Sequence, residues 1–284
     1  MSIYDINGNS ITDVYDMNGI KLAQAYDIEG APLIEQLPIN LVVMSYNIQW
    51  LTGANANDEL VSSIISTYNP DIIGFQEFAK ASASTIPSKY YTLLPSYPYI
   101  LMGNYGNKNA IASKYAMSGF TTTPFTIQTM DGQSWSKATI TVRGVTLTLF
   151  VAHTTYGYSG NAYQQKVDQI TELFNEMQKY DNVILMADLN TVCKSANDKE
   201  YTDIMSMFVN AGYHCANCTT EFGFFDTWTD GYTTEGTWEQ TDNIITSSNI
   251  TINRVVVDRA KIAYCAENET AIDHLPLIAY LTVN

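Results

Sequence analysis

Four apolar runs in this chain each end abruptly at residues able to do chemistry. Leu41-Val42-Val43-Met44-Ser45-Tyr46 leads to Asn47, Ile72-Ile73-Gly74-Phe75 to Gln76-Glu77, Leu149-Phe150-Val151-Ala152 to His153, and Val183-Ile184-Leu185-Met186-Ala187 to Asp188-Leu189-Asn190. A fifth polar set, Asp273-His274, stands just before the apolar run 277–283. Apolar runs of this length read as buried strands. A side chain at a strand end is held rigidly and opens to a cleft, where catalytic groups belong.

Helices alternate with these strands. Residues 57–68 carry Leu60, Val61, Ile64 and Ile65 on one face, and Asn69-Pro70 stops the helix. Residues 161–180 form the clearest helix, with Val167, Ile170, Leu173, Phe174 and Met177 at helical spacing. A shorter helix is predicted over 203–211. Further strands are predicted at 110–112, 138–142, 145–152, 243–246 and 254–257, with Gly144 as a turn. Residues 213–241, rich in Thr, Gly and aromatics, read as long loops. The result is a mixed α/β protein whose sheets are covered by helices.

The length of 284 residues, with 46% hydrophobic and 15% charged, suits one large domain or two small ones with a sizeable core. It excludes a disordered chain. No run of eighteen apolar residues is present, so no membrane-spanning helix is expected. Residues 1–5 have neither a basic nor an apolar leader region, so the expectation is a cytoplasmic protein, or a virion component if a phage encodes it. The net charge of −15 argues against long-range steering of a polyanion. It leaves room for a phosphate substrate, because a bound divalent cation supplies local positive charge and acidic side chains are its natural ligands.

The N-terminus repeats with a period of eleven: Tyr4-Asp5-Ile6-Asn7-Gly8, Tyr15-Asp16-Met17-Asn18-Gly19 and Tyr26-Asp27-Ile28-Glu29-Gly30, with Ile11, Leu22 and Leu33 in step. Asn-Gly favours tight turns, so residues 1–36 read as an arm of short β-hairpins ahead of a catalytic domain at 37–284. So small an arm buries little surface alone, and it is expected to pack on copies of itself or on a virion partner. Its units are similar to N-terminal arms of some phage and gut-bacterial proteins. Cys215 and Cys218 form a CxxC beside His214, but Cys193 and Cys265 lie far off in sequence. Free thiols or a loop disulfide are therefore preferred to zinc.

Taken singly, each strand-end residue has a commoner structural use. As a set they complement one another. Glu77 and Asp273 can hold a hard cation with Asn47 as a neutral oxygen donor. Asp188 and Asp242 can accept a proton or orient an imidazole. His153 and His274 are two of three His in the chain. A metal, carboxylates and two imidazoles suffice to hydrolyse a phosphate ester.

The ordered motifs resemble those of the endonuclease/exonuclease/phosphatase superfamily, the DNase I-like fold. They are Ser45-Tyr46-Asn47-Ile48, Gln76-Glu77, Asn109-Ala110-Ile111-Ala112-Ser113-Lys114, Ala152-His153, Asp188-Leu189-Asn190, Asp242-Asn243-Ile244-Ile245 and Asp273-His274-Leu275-Pro276. The resemblance covers about residues 40–284. It implies a four-layer sandwich of two mixed β-sheets flanked by helices, and one or two divalent cations, Mg²⁺ or Mn²⁺. By that resemblance Asn47, Glu77 and Asp273 hold the metal, Asp188 and Asn190 orient water and phosphate, and Asp242 orients His274. His153 stabilises the phosphorane, and Asn109 and Lys114, with Lys108 beside them, meet the substrate. His153 stands where AP endonucleases of this fold carry Tyr, which places the chain nearer the DNase I and sphingomyelinase branches.

The expected activity is a metal-dependent phosphodiesterase, foremost a nuclease with little sequence preference. The alternatives are a phosphomonoesterase or sphingomyelinase-like phospholipase, and a non-catalytic binding protein on the same fold. The complete catalytic set argues against the last.

Overall fold

The computed structural model describes residues 3–4, 10–11, 38–49, 55–128, 132–157, 159–229, 238–259 and 272–284. In chain order the first elements are β1 (Ile3–Tyr4), β2 (Ser10–Ile11), β3 (Ile39–Asn47), α1 (Asn55–Tyr68), β4 (Ile72–Ala79), α2 (Lys89–Leu93), β5 (Tyr99–Met102), β6 (Lys108–Ser113), β7 (Met117–Pro124), β8 (Ser134–Val142) and β9 (Val145–His153). Then follow α3 (Gly160–Met177), β10 (Val183–Asp188), a π-helical turn (Tyr201–Met205), α4 (Ser206–Asn210), β11 (His214–Cys215), β12 (Trp228–Thr229), β13 (Trp238–Glu239), β14 (Asp242–Thr246), β15 (Ile250–Val257) and β16 (Leu277–Val283).

Twelve of the strands form two six-stranded sheets, ordered β15-β16-β3-β4-β6-β5 and β11-β14-β10-β9-β8-β7. Each sheet has one parallel pair, β3 with β4 and β9 with β10, and its other pairs are antiparallel. Parallel neighbours need a crossover, and α1 and α3 supply it.

Three apolar layers hold the sandwich. Between the sheets, Leu41, Val43, Ile72 and Leu277 meet Leu149, Val151, Ile184 and Ile244. Outside the first sheet, Leu60, Val61, Ile64 and Ile65 of α1 cover Met44, Ile73 and Phe75. Outside the second, Ile170, Leu173, Phe174 and Met177 of α3 cover Phe150, Val183 and Leu185. Each such side chain contributes roughly 1.5–3 kcal/mol when fully buried. The strands carry apolar residues on both faces because both faces are covered.

Several boundaries differ from expectation. The predicted helix at 203–211 is a π-helical turn followed by the five-residue α4. Edge strands β5 and β7 were not foreseen. The sequence of β7, Met-Ser-Gly-Phe-Thr-Thr-Thr-Pro, is largely polar, and the strand is only partly covered. The loops at 213–241 hold the two-residue strands β11, β12 and β13. The turn at Gly144 is a two-residue hairpin in which Arg143 and Gly144 both have positive φ, at 49° and 84°. Of the arm, β1 pairs antiparallel with β2, Ile3 opposite Ile11 and Tyr4 opposite Ser10. The second and third repeat units lie outside the described residues. Among these residues no helix is long and apolar enough to cross a membrane.

Cys193, Cys215 and Cys218 are free and buried. No trio of potential metal ligands among the described residues includes a cysteine, so the CxxC is a pair of packed thiols.

At Gly74 on β4 the two sheets approach closely. A Cβ there would lie 2.5 Å from the Cβ of Met186 on β10. Gly74→Ala is expected to cost about 1–3 kcal/mol through overpacking. Urea denaturation would measure it, and an unchanged midpoint would contradict the close approach.

Candidate active site

The two parallel pairs end at the same edge of the sandwich. In the second sheet, Asp188 at the end of β10 pairs with His153 on one side and Asp242 on the other. In the first, β3 delivers Asn47 and β4 delivers Glu77. The ladder between β4 and β6 shifts register between Phe75 and Ala79, and Glu77 sits there with φ of +47°. A bulge re-aims a side chain that regular pleating would direct elsewhere. Gln76 anchors this bulge across the sandwich by donating to Met186 O at 3.1 Å and to Ser45 Oγ at 3.3 Å.

Asp188 is the hub of the resulting cluster. Its Oδ2 accepts from Asn47 Nδ2 at 2.9 Å and lies 3.4 Å from His153 Nε2 and 3.6 Å from His274 Nε2. Its Oδ1 accepts from the Asn190 backbone N–H at 3.0 Å. His274 Nδ1 lies 2.8 Å from Asp242 Oδ2, which also accepts from the Thr241 hydroxyl at 2.9 Å. His153 Nδ1 lies 3.9 Å from Glu77 Oε1. Asp273 Oδ1 is 3.8 Å from His274 Nε2, while its Oδ2 accepts from the Trp228 indole at 2.9 Å. Glu77, His153, Asp188, Asn190, Asp273 and His274 all line one cavity of about 200 Å³.

Burial opposes charge on His274, but the Asp242 and Asp188 carboxylates outweigh it and hold the imidazole protonated, its pKa pushed up to about 10. Burial likewise raises the pKa of Glu77, against the pull of His153 and His274. A buried carboxylate with further carboxylates nearby gains from a cation.

The predicted site residues fare unequally. Asn47, Glu77, His153, Asp188, Asn190, Asp273 and His274 line the cavity, with Asp242 directly behind His274. Asn190 donates a side-chain N–H to Thr154 O at 2.8 Å, which orients its amide at the cavity wall. Asn109 does not line the cavity; its Nδ2 donates to Ser134 O at 2.8 Å. Lys114 is a correction. It lies beyond the far end of β6, where it donates to Asn69 O at 2.8 Å and lies 3.3 Å from Asp71. Strand β6 runs antiparallel to β4, so six residues carry the chain away from Glu77. Lys108 stands at the near end but is buried, in step with Ala110 and Ala112, which face the helix layer. Trp228 belongs to the aromatic-rich loops 213–241, which the sequence marks as shaping the substrate site, and it does line the cavity.

The sequence profile of the Endonuclease/Exonuclease/phosphatase family matches residues 44–269. The chain belongs to that family. Its members are hydrolases of phosphoester bonds and are typically divalent-metal dependent. Solved structures share the fold. The endonuclease/exonuclease/phosphatase from Beutenbergia cavernae is 15% identical with a TM-score of 0.66, over 86% of this chain and 72% of that one. TDP2 of D. rerio, complexed with single strand DNA product, is 17% identical with a TM-score of 0.65, over 85% and 98%. A Bacteroides vulgatus relative is 13% identical with a TM-score of 0.65, over 87% and 100%. No curated protein matches the chain in sequence.

A divalent cation fits this cavity. Glu77 and Asp273 offer carboxylate oxygens, and among the described residues Asn47 Oδ1 accepts the Gln49 backbone N–H, at 3.1 Å, which leaves it a second lone pair. All three are hard oxygen donors. Asp188, Asp242 and His274 also bring ligand atoms within 4.8 Å of one another. That trio is already occupied by its own 2.8 Å hydrogen bond.

The raised pKa of His274 sets a pH dependence. In metal-free protein its contribution to stability is complete below the ordinary 6.5 and is lost as pH rises through about 10. Unfolding free energy is expected to fall from pH 7 to 10, and His274→Gln to flatten the slope. Equal slopes in both proteins would contradict the assignment.

Proposed function

We propose that this protein is a divalent-metal-dependent phosphodiesterase that cleaves nucleic acid with little sequence preference. The reading is carried by one observation: two imidazoles flank a buried carboxylate, Asp188, beside the oxygen donors Glu77 and Asp273. Glu77, Asp273 and Asn47 would hold the cation, Mg²⁺ or Mn²⁺, which supplies positive charge to the phosphate when bound. Asp188 orients the attacking water and takes its proton, helped by the Asn190 oxygen. His274 has Nδ1 committed to Asp242, so Nε2–H clamps a non-bridging oxygen. His153 stabilises the charge of the phosphorane and donates toward the leaving oxygen. Water oxygen bonds to phosphorus, and the opposite P–O bond breaks.

Nucleic acid is favoured by two aromatics at the cavity, Trp228 and the half-exposed Tyr156, which offer faces for base stacking. A structural neighbour, TDP2 of D. rerio, was solved with a single strand DNA product. A second reading, a small or lipid phosphate ester, is favoured by the charge of the lining. Among the described residues the cavity holds no Lys or Arg.

Glu77→Ala is expected to lower turnover at least about a hundredfold, through loss of metal and transition-state stabilisation. Excess EDTA should abolish turnover on a single-stranded oligonucleotide, and full hydrolysis in EDTA would refute the mechanism.

With one or two phosphates neutralised, binding should weaken only roughly three- to tenfold between about 50 and about 200 mM salt. A loss on the order of a thousandfold would require a basic groove. Turnover of a small or lipid ester without nucleic acid cleavage would establish the second reading.

A further inference from the structure

Helix α3 carries a lysine inside the protein. Lys166 is fully buried, on the same stripe as Ile170, Leu173 and Met177. Its ammonium donates to Asn190 O at 2.8 Å and to Glu200 Oε1 at 2.9 Å. Glu200 is nearly as buried, and its Oε2 accepts from the Val192 N–H at 2.7 Å. The pair therefore grips the chain just after Asp188 at two points, a carbonyl and an N–H two residues apart.

The gripped turn needs support. Asn190 sits at φ of +50°, and its N–H donates to Asp188 Oδ1 at 3.0 Å. Asparagine is among the few non-glycine residues that enter the left-handed region readily, so this conformation alone does not lock the turn. Three residues further along α3, buried Gln169 accepts from the Thr155 N–H and donates to Ile127 O, both at 2.8 Å. One polar stripe on the helix thus reaches three segments around the cavity.

A buried ion pair is a poor stabiliser, because the desolvation of both charges offsets their attraction. Replacing both partners with neutral groups of similar shape is often neutral or favourable for folding. Packing alone gives no reason to bury a lysine beneath the Asp188 strand end. We propose that the Lys166–Glu200 pair is a positioning device that fixes the Asp188–Asn190 turn, and with it the carboxylate, in the geometry that turnover requires. Lys166 touches no reacting atom; it acts through Asn190. This inference rests on the phosphoesterase reading for its kinetic consequence.

The test is the double variant Lys166→Met with Glu200→Gln, compared with Lys166→Arg, which keeps the charge and the donors. Three quantities are read: melting temperature, amide hydrogen exchange at 188–192, and kcat and KM with Mn²⁺ on an oligonucleotide. The double variant is expected to melt like the wild type, exchange faster at 188–192 and lose at least about tenfold in kcat, with KM within about twofold. Lys166→Arg, which keeps the charge but adds volume in a packed site, is expected to lose less kcat than the double variant. Native exchange and native kcat in the double variant would overturn the proposal. So would a tenfold loss in Lys166→Arg with native exchange at the turn. Exchange needs no substrate, so faster exchange in the double variant with no turnover even in the wild type would count against the phosphoesterase reading and support the positioning role.

Discussion

The Asp188 carboxylate is where the two sheets, the two imidazoles and the cavity converge. Burying a carboxylate costs several kcal/mol unless its lone pairs are satisfied. Here an amide from the first sheet, a backbone N–H from its own turn and the flanking His153 and His274 provide that satisfaction. Asn47 reaches Asp188 from the facing sheet, and at Gly74 the absence of a side chain makes room for Met186 between the sheets. Packing in the core and chemistry at the edge are thereby tied to one set of strands.

The architecture explains why both sheets serve the same site. Each has a parallel pair whose strands end at one edge, and antiparallel neighbours that begin there. β10 brings Asp188 to that edge as it ends, and β14 brings Asp242 as it starts. His274 stands ahead of β16 and reaches across to Asp242, closing the cavity between the sheets. The bulge at Glu77 completes the ring by turning a strand residue into the opening.

Much of this was legible in the sequence. An apolar run that stops at an Asp or His marks both a covered strand and an exposed end, so the strands and the cavity residues came from one signal. The four layers came from family resemblance, since local pattern does not encode which strand sits beside which. Polar edge strands such as β7 escaped because an edge need not be apolar. Lys114 was misplaced because proximity in a motif says nothing about which end of a strand faces the cleft. Lys166 escaped for another reason. A lysine on an amphipathic helix is normally solvated, although its place four residues before Ile170 and seven before Leu173 set it on the buried stripe.

The most direct measurement is turnover by Asp188→Asn alongside calorimetric Mn²⁺ binding. Asparagine keeps the shape of the side chain but removes the charge and the proton acceptor. The proposed metal ligands Glu77, Asp273 and Asn47 are untouched. The account predicts Mn²⁺ affinity close to wild type and a loss of at least about a hundredfold in the rate of phosphodiester cleavage. Cleavage at the wild-type rate by that variant would contradict the central place given to Asp188.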